Sequence, residues 1–222
     1  KSAEETLGDD PEALASAEPT ERRRGRVAGF PCMASVAVLS SSEPNGDRRF
    51  QDILGGVAVD LRTGDLWAAQ RGLDGRFATQ VNGQPFRLPA VSGPVKIRGA
   101  VRIIAQLRDK TRRQDLAAAA FGDLYGWARG LGSDAYAVAC VASGQADAFV
   151  GQVPDAASLA VGYALVEGAG GVAWDGERQE ALAAGRVFWG RSSPVMFAAS
   201  SGLLDEIQIR LAEAEAHFAH RA

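Results

Sequence analysis

Residues 128–152 read ARGLGSDAYAVACVASGQADAFVGQ, and this stretch decides the fold. SDAYAVACVASG is apolar at nearly every position, which predicts a helix buried on all sides. Ser133, directly after a glycine, is an ordinary N-cap for it. ADAFVGQ then reads as a short strand. Another helix and strand follow, without an internal sequence repeat. DAASLAVGYALVEGAGG (155–171) predicts a second apolar helix that closes on glycines, and GVAW (171–174) predicts another strand.

Upstream, the pattern is mostly strand. CMASVAVLS (32–40) alternates small and β-branched residues. QDILGGVAVDL (51–61) and DLWAAQR (65–71) flank Arg62-Thr63-Gly64, a hairpin signal. RFATQ and QPFRL flank Val81-Asn82-Gly83, a second one, and VKIRGAVRIIAQL (95–107) holds a further strand. Residues 1–27 are charged and predict an extended or partly helical lead-in.

Downstream, RRQDLAAAAFGDLYGWARGLG (112–132) has apolar residues at helical spacing. RVFW (186–189) reads as a strand, SPVMFAAS (193–200) as the start of a closing helical region, and residues 201–222 as an amphipathic final helix. The expected organisation is one domain over 1–222, divided into the lead-in (1–28), mainly antiparallel strands (29–110) and alternating helix and strand (111–222). That order suggests stacked α and β layers of an α/β (α+β) protein, not a parallel doubly wound sheet.

Composition narrows the function classes. The 222 residues are 46% apolar and 23% charged, with a net charge of −3, so nothing points to nucleic acid. No apolar run reaches the roughly 20 residues that span a bilayer. The acidic, polar start is unlike a signal peptide. The two cysteines, Cys32 and Cys140, lie in apolar runs and read as buried free thiols, which fits a soluble protein of a reducing compartment. The only histidines, His217 and His220, close the chain, which leaves no histidine for an internal metal site or triad. The four tryptophans, Trp67, Trp127, Trp174 and Trp189, sit in apolar runs and read as core.

Four segments, in order along the chain, resemble the inositol monophosphatase family of metal-dependent sugar-phosphate phosphatases. GFPCMASVAVL (29–39) is similar to G-x-P-x-x-x-[VI]-S-[IV]-A. Residues 64–88 resemble the hairpin x-A-x-x-G-x-G-A-x-x-N-G-x-x-[IL]. Residues 128–152 resemble the G-S-x-A helix with A-x-G-x-x-D-A-[YF] after it. LVEGAGGVAWDGERQEAL (165–182) is similar to E-A-G-G-x-[VI]-x-[DT]. The resemblance implies a layered αβαβα sandwich, here lacking the usual N-terminal helices. It also implies Mg²⁺-dependent hydrolysis of a phosphate monoester, and a homodimer or larger protein assembly.

That chemistry needs clustered carboxylates to hold Mg²⁺, which activates water and neutralises phosphoryl charge. The family's ligands come from a Glu-Glu pair, D-P-x-D-G-T and a later W-D. Counted without gaps, D-P-x-D-G-T falls on Glu18-Pro19-Thr20-Glu21-Arg22-Arg23, and W-D on Ala157-Ser158. The Glu-Glu pair falls on Glu4 and Glu5. Asp155 lies three residues off the late register, one helical turn away.

These exchanges act together against a metal. Glu for Asp adds a methylene where Mg²⁺ demands near-octahedral oxygens at about 2.0–2.1 Å. Ser158 removes a full negative charge. Arg22 and Arg23 bring positive charge, and at an effective dielectric of about 20 unit charges ~4 Å apart interact by roughly 4 kcal/mol.

Three readings stand. In the first, metal-dependent activity is lost, no cofactor is needed, and the protein is a structural or regulatory component. In the second, the run Arg22, Arg23, Arg24 and Arg26 replaces the metals as counter-charge for a small anionic ligand (phosphate or carboxylate), which Arg22, Arg23, Ser133 and Ser158 bind, with Glu18 and Glu21 as acid or base. In the third, Glu5, Glu18 and Glu21 still hold Mg²⁺ and catalysis survives.

Overall fold

The computed structural model describes residues 3–5, 13–18, 33–40, 49–90, 101–106, 112–124, 126–129, 131, 133–153, 155–184 and 193–219. Seven strands form one antiparallel sheet in chain order: β1 (Ala3–Glu5), β2 (Ala13–Glu18), β3 (Met33–Ser40), β4 (Ile53–Asp60), β5 (Leu66–Arg71), β6 (Phe77–Val81) and β7 (Gln84–Phe86). The lead-in therefore contributes two strands to the sheet and no helix among its described residues. The turns are the ones the glycines announce: Gly64 has φ 79°, and Asn82 and Gly83 have φ 51° and 76°.

β3 shows why one face of this sheet is buried. Met33, Ser35, Ala37 and Leu39 point inward and the residues between them are half-buried. The register shifts between Val38 and Leu39 opposite β4, a bulge that puts Leu54 on the outer face with Val57.

The second sheet has six strands in the order β12-β11-β13-β10-β8-β9. These are β8 (Arg102–Gln106), β9 (Gly126–Arg129), β10 (Ala148–Val153), β11 (Val172–Asp175), β12 (Glu180–Ala181) and β13 (Ser193–Ala198). β8 runs parallel to β9 and β10, and the other pairs are antiparallel.

Two sequence expectations fail here. The helical pattern from residue 112 stops at α1 (Arg112–Phe121), and Gly126–Arg129 is a strand. SPVMFA is strand β13, not the start of a helix. A central strand covered by helices on both faces is apolar throughout, so it carries no period-2 signal. The strand expected at 186–189 lies outside the described residues.

Helices α2 (Asp134–Ala142) and α3 (Ala156–Ala169) lie between the sheets. α1 and α4 (Ser201–Ala219) cover the far face of the six-stranded sheet, around Ile103, Phe121, Leu203 and Ile207. The described residues thus make four layers, β, α, β, α, of the five expected. Among them, no helix lies on the outer face of the seven-stranded sheet. α3 is the axis of the molecule: all its residues but Glu167 are buried, and Gly170 at φ 94° ends it. No helix among the described residues is long and apolar enough to cross a membrane.

Candidate functional site

The first turn of α3 meets β3 at the position where the resemblance puts a metal-binding aspartate. Asp155 caps the helix. Its Oδ1 accepts the Ala157 N–H at 3.1 Å and its Oδ2 accepts the Ser158 N–H at 2.9 Å. The Ser158 hydroxyl donates to the same Oδ2. Both carboxylate oxygens are thus engaged at the helix start, where negative charge also suits the dipole.

Ser158 and Ser35 are both buried, and their Oγ atoms lie 3.3 Å apart. An ionised carboxylate only accepts, so Ser158 gives its hydrogen to Asp155 and Ser35 donates to Ser158. The result is a closed chain, Ser35 to Ser158 to Asp155, joining the seven-stranded sheet to α3.

Backbone register places two of the expected acids around it. Glu18 stands opposite Ser35 in the β2–β3 pair. Opposed positions share a face of the sheet, so the Glu18 position lies on the face turned to α3. Glu4 stands opposite Ser16 and so shares that face, whereas Glu5 stands opposite Ala15, on the other one. Glu21, Arg22, Arg23, Arg24 and Arg26 lie outside the described residues. Ser133 is fully buried, its Oγ accepts the Tyr136 N–H at 3.1 Å, and it caps α2.

The side chains placed at this seam, Ser35, Asp155 and Ser158, do not by themselves fit a divalent cation. No group of three His, Cys, Asp or Glu side chains gathers among the described residues. Mg²⁺ asks for an octahedron of oxygens with charged ligands among them. Here the central group is a neutral hydroxyl already enclosed by Ser35 and Asp155.

A second buried polar cluster lies where β4 meets α2. Asp60 is buried, its Oδ1 accepts the Arg62 N–H at 2.8 Å, and its Oδ2 is 3.6 Å from the Arg62 guanidinium. Burial, with Asp60 as a lesser cause, pushes the Cys140 thiol up to about 11. Burial likewise raises the Tyr136 phenol. Burial holds this thiol in its neutral form, which suits a packing group. Cys32 lies outside the described residues.

Sequence reasoning found Ser158 by counting and missed Ser35, although the alternation of MASVAVLS places Ser35 on the inward register. Asp155 was visible as an aspartate three residues before Ser158, which is the capping pattern.

No protein-family model and no curated protein matches the sequence. Solved structures do match. The Thermotoga maritima IMPase superposes with a TM-score of 0.69, covering 96% of this chain and 74% of its own at 20% identity. Inositol monophosphatase-II of Staphylococcus aureus gives 0.67, with 96% and 73% covered at 15% identity. The extragenic suppressor protein suhB of Bartonella henselae gives 0.65, with 95% and 74% covered at 19% identity. The chain has the inositol monophosphatase fold, and about a quarter of each relative has no counterpart in it.

Proposed function

We propose that this protein uses the inositol monophosphatase fold without metal-dependent phosphatase activity, as a structural or regulatory component that works through protein assembly, as a homodimer or with another chain. One observation carries the reading. Ser158, the residue on which the gap-free count puts the late carboxylate, is a buried hydroxyl closed between Ser35 and the capping carboxylate of Asp155. A hydroxyl in that state supplies no charge for Mg²⁺ and no proton acceptor for water. The fold alone does not carry the family's chemistry with it.

The test is hydrolysis of p-nitrophenyl phosphate by the purified chain with Mg²⁺ or Mn²⁺, with and without a chelator, alongside calorimetry with each ion. The expected result is no chelator-sensitive turnover and no heat of binding. Turnover that needs Mg²⁺ and is lost in Glu18→Gln/Glu21→Gln would overturn it.

A second reading, a working phosphatase that binds Mg²⁺ through glutamates, is favoured by one relationship, the Glu18 position opposite Ser35 on the face turned to α3. The same assay decides between the two.

A further inference from the structure

The outer face of the seven-stranded sheet is apolar where water would favour polar side chains. An antiparallel sheet with one solvated face alternates apolar-in with polar-out. Here the cross-strand register sets three rows on the outer face of β3 to β6. The central row runs Val36, Val57, Ala68 and Gln80. On one side of it runs the row Ala34, Val59 and Leu66, and on the other the row Val38, Gly55, Gln70 and Ala78. None of these positions carries a charge. The exposed large hydrophobics among the described residues are Leu54, Val57, Leu61, Leu66, Leu73 and Ile209, and all but Ile209 lie on β4, β5 or the turns at their ends. Such a concentration marks an interaction surface.

The face complements itself. A trough of about 870 Å³ lies over the Gly55 row. A Cβ at Gly55 would come within 2.6 Å of the Ala69 carbonyl oxygen, so that position admits no side chain and the trough stays open. The Leu66 row, beyond Val57, instead offers an exposed leucine. Charge is also divided between the two ends. Asp65 lies next to Leu66, where Arg62 is already paired with Asp60, and Arg71 and Arg76 line the trough end, with Asp74 between them.

A two-fold contact needs a patch that matches itself. An axis laid across the strands, along the central row, sets Val57 of each copy on Val57 of the other and turns one sheet end for end. The Leu66 row of each copy then enters the trough of the other, and the Asp65 end faces the Arg71–Arg76 end. Sheets that pack face to face cross at about −30°, which accommodates their twist. Strands β2 to β6, spaced ~4.8 Å apart and each roughly 20 Å long, give a footprint of about 500 Å² per copy, or about 1,000 Å² for two, which reaches the size of a specific interface.

We infer that the outer face of the seven-stranded sheet is a homodimer interface, covered by the same face of a second copy of this chain. The inference names the surface and the partner for the assembly proposed above, and rests on that part of the reading. The loss of metal chemistry is decided separately by the chelator assay, so the two fail independently.

The experiment is sedimentation equilibrium of the full chain at micromolar concentration, which is expected to give a dimer. Val57→Asp sets two carboxylates against each other at the axis and should weaken the dimer at least tenfold. Its circular dichroism should be retained, because the position is exposed. Val57→Lys should act in the same way, and an equal mixture of the Asp and Lys variants should restore the dimer. Val57→Cys should form a disulfide-linked dimer on mild oxidation that wild type does not form, and it carries the test if the charged variants misfold. The inference is overturned by a monomer at every concentration, the result expected if another polypeptide covers the face. It is equally overturned by a dimer that Val57→Asp leaves unchanged, by a mixture of the charged variants that stays monomeric, or by no cysteine crosslink.

Discussion

Ser35 and Ser158, 123 residues apart in the chain, hold their hydroxyl oxygens 3.3 Å apart in the buried seam between sheet and central helix. Each single alanine substitution leaves a buried polar partner behind, at a cost of about 1 kcal/mol. The double variant removes both ends of the shared bond. It should therefore cost less than the sum of the singles, with a coupling of about 0.5–1 kcal/mol. Urea denaturation of the four proteins measures this, and strictly additive values would show that the two hydroxyls do not interact.

Asp155→Ala leaves the Ala157 and Ser158 N–H groups and the Ser158 hydroxyl without their acceptor. The expected loss is about 1–2 kcal/mol, with Asp155→Asn retaining part of the cap. Thermal midpoints should rank wild type above Asn above Ala. An alanine variant as stable as wild type would mean that the carboxylate is not a structural cap.

Gly168 lets α3 lie directly on β6. A Cβ there would come within 2.5 Å of Thr79 Oγ1, 3.0 Å of Phe77 Cβ and 3.2 Å of the Ala78 backbone. Thr79 Oγ1 also donates to the Leu165 carbonyl at 2.7 Å, so it has little freedom to withdraw. Gly168→Ala should destabilise by about 1–3 kcal/mol through overpacking, despite alanine's better helix propensity. Chemical denaturation reads the sign directly.

Burial pushes the Cys140 thiol up to about 11 from an ordinary value of 9.0. Between those values the unfolded chain has lost this proton and the native chain still holds it. The contribution to stability is thus present below about pH 9 and declines as pH rises towards about 11. Cys140→Ala should flatten the fall in stability over that window relative to wild type. An identical alkaline slope in both proteins would contradict a buried neutral thiol.

The scaffold was legible where a residue type maps onto one conformation. Asn82-Gly83 marks its hairpin because both residues take positive φ. The apolar runs of α2 and α3 mark buried helices because each carries only one charged residue, Asp134 and Glu167, and so has no polar face to turn to water. The misread parts are those where burial erases the pattern. β13 is covered by α2 and α3 on one face and by α4 on the other, so SPVMFA lacks the alternation that identifies a strand. Gly126–Arg129 continues a helical spacing that only its pairing with β8 overrides. The candidate site was half legible. Counting along the chain found Ser158, whereas its partner Ser35 depends on which residues of a distant strand face inward.

The burial of α3 has a consequence for how the molecule opens. Both sheets close on this one helix, and its first turn holds the Asp155–Ser158 cap. A local opening that exposed the Leu159–Val166 amides would strip both sheets of their shared packing surface. These amides should therefore exchange with deuterium only through global unfolding, and the first turn of α3 becomes as slow to breathe as the centre of the core.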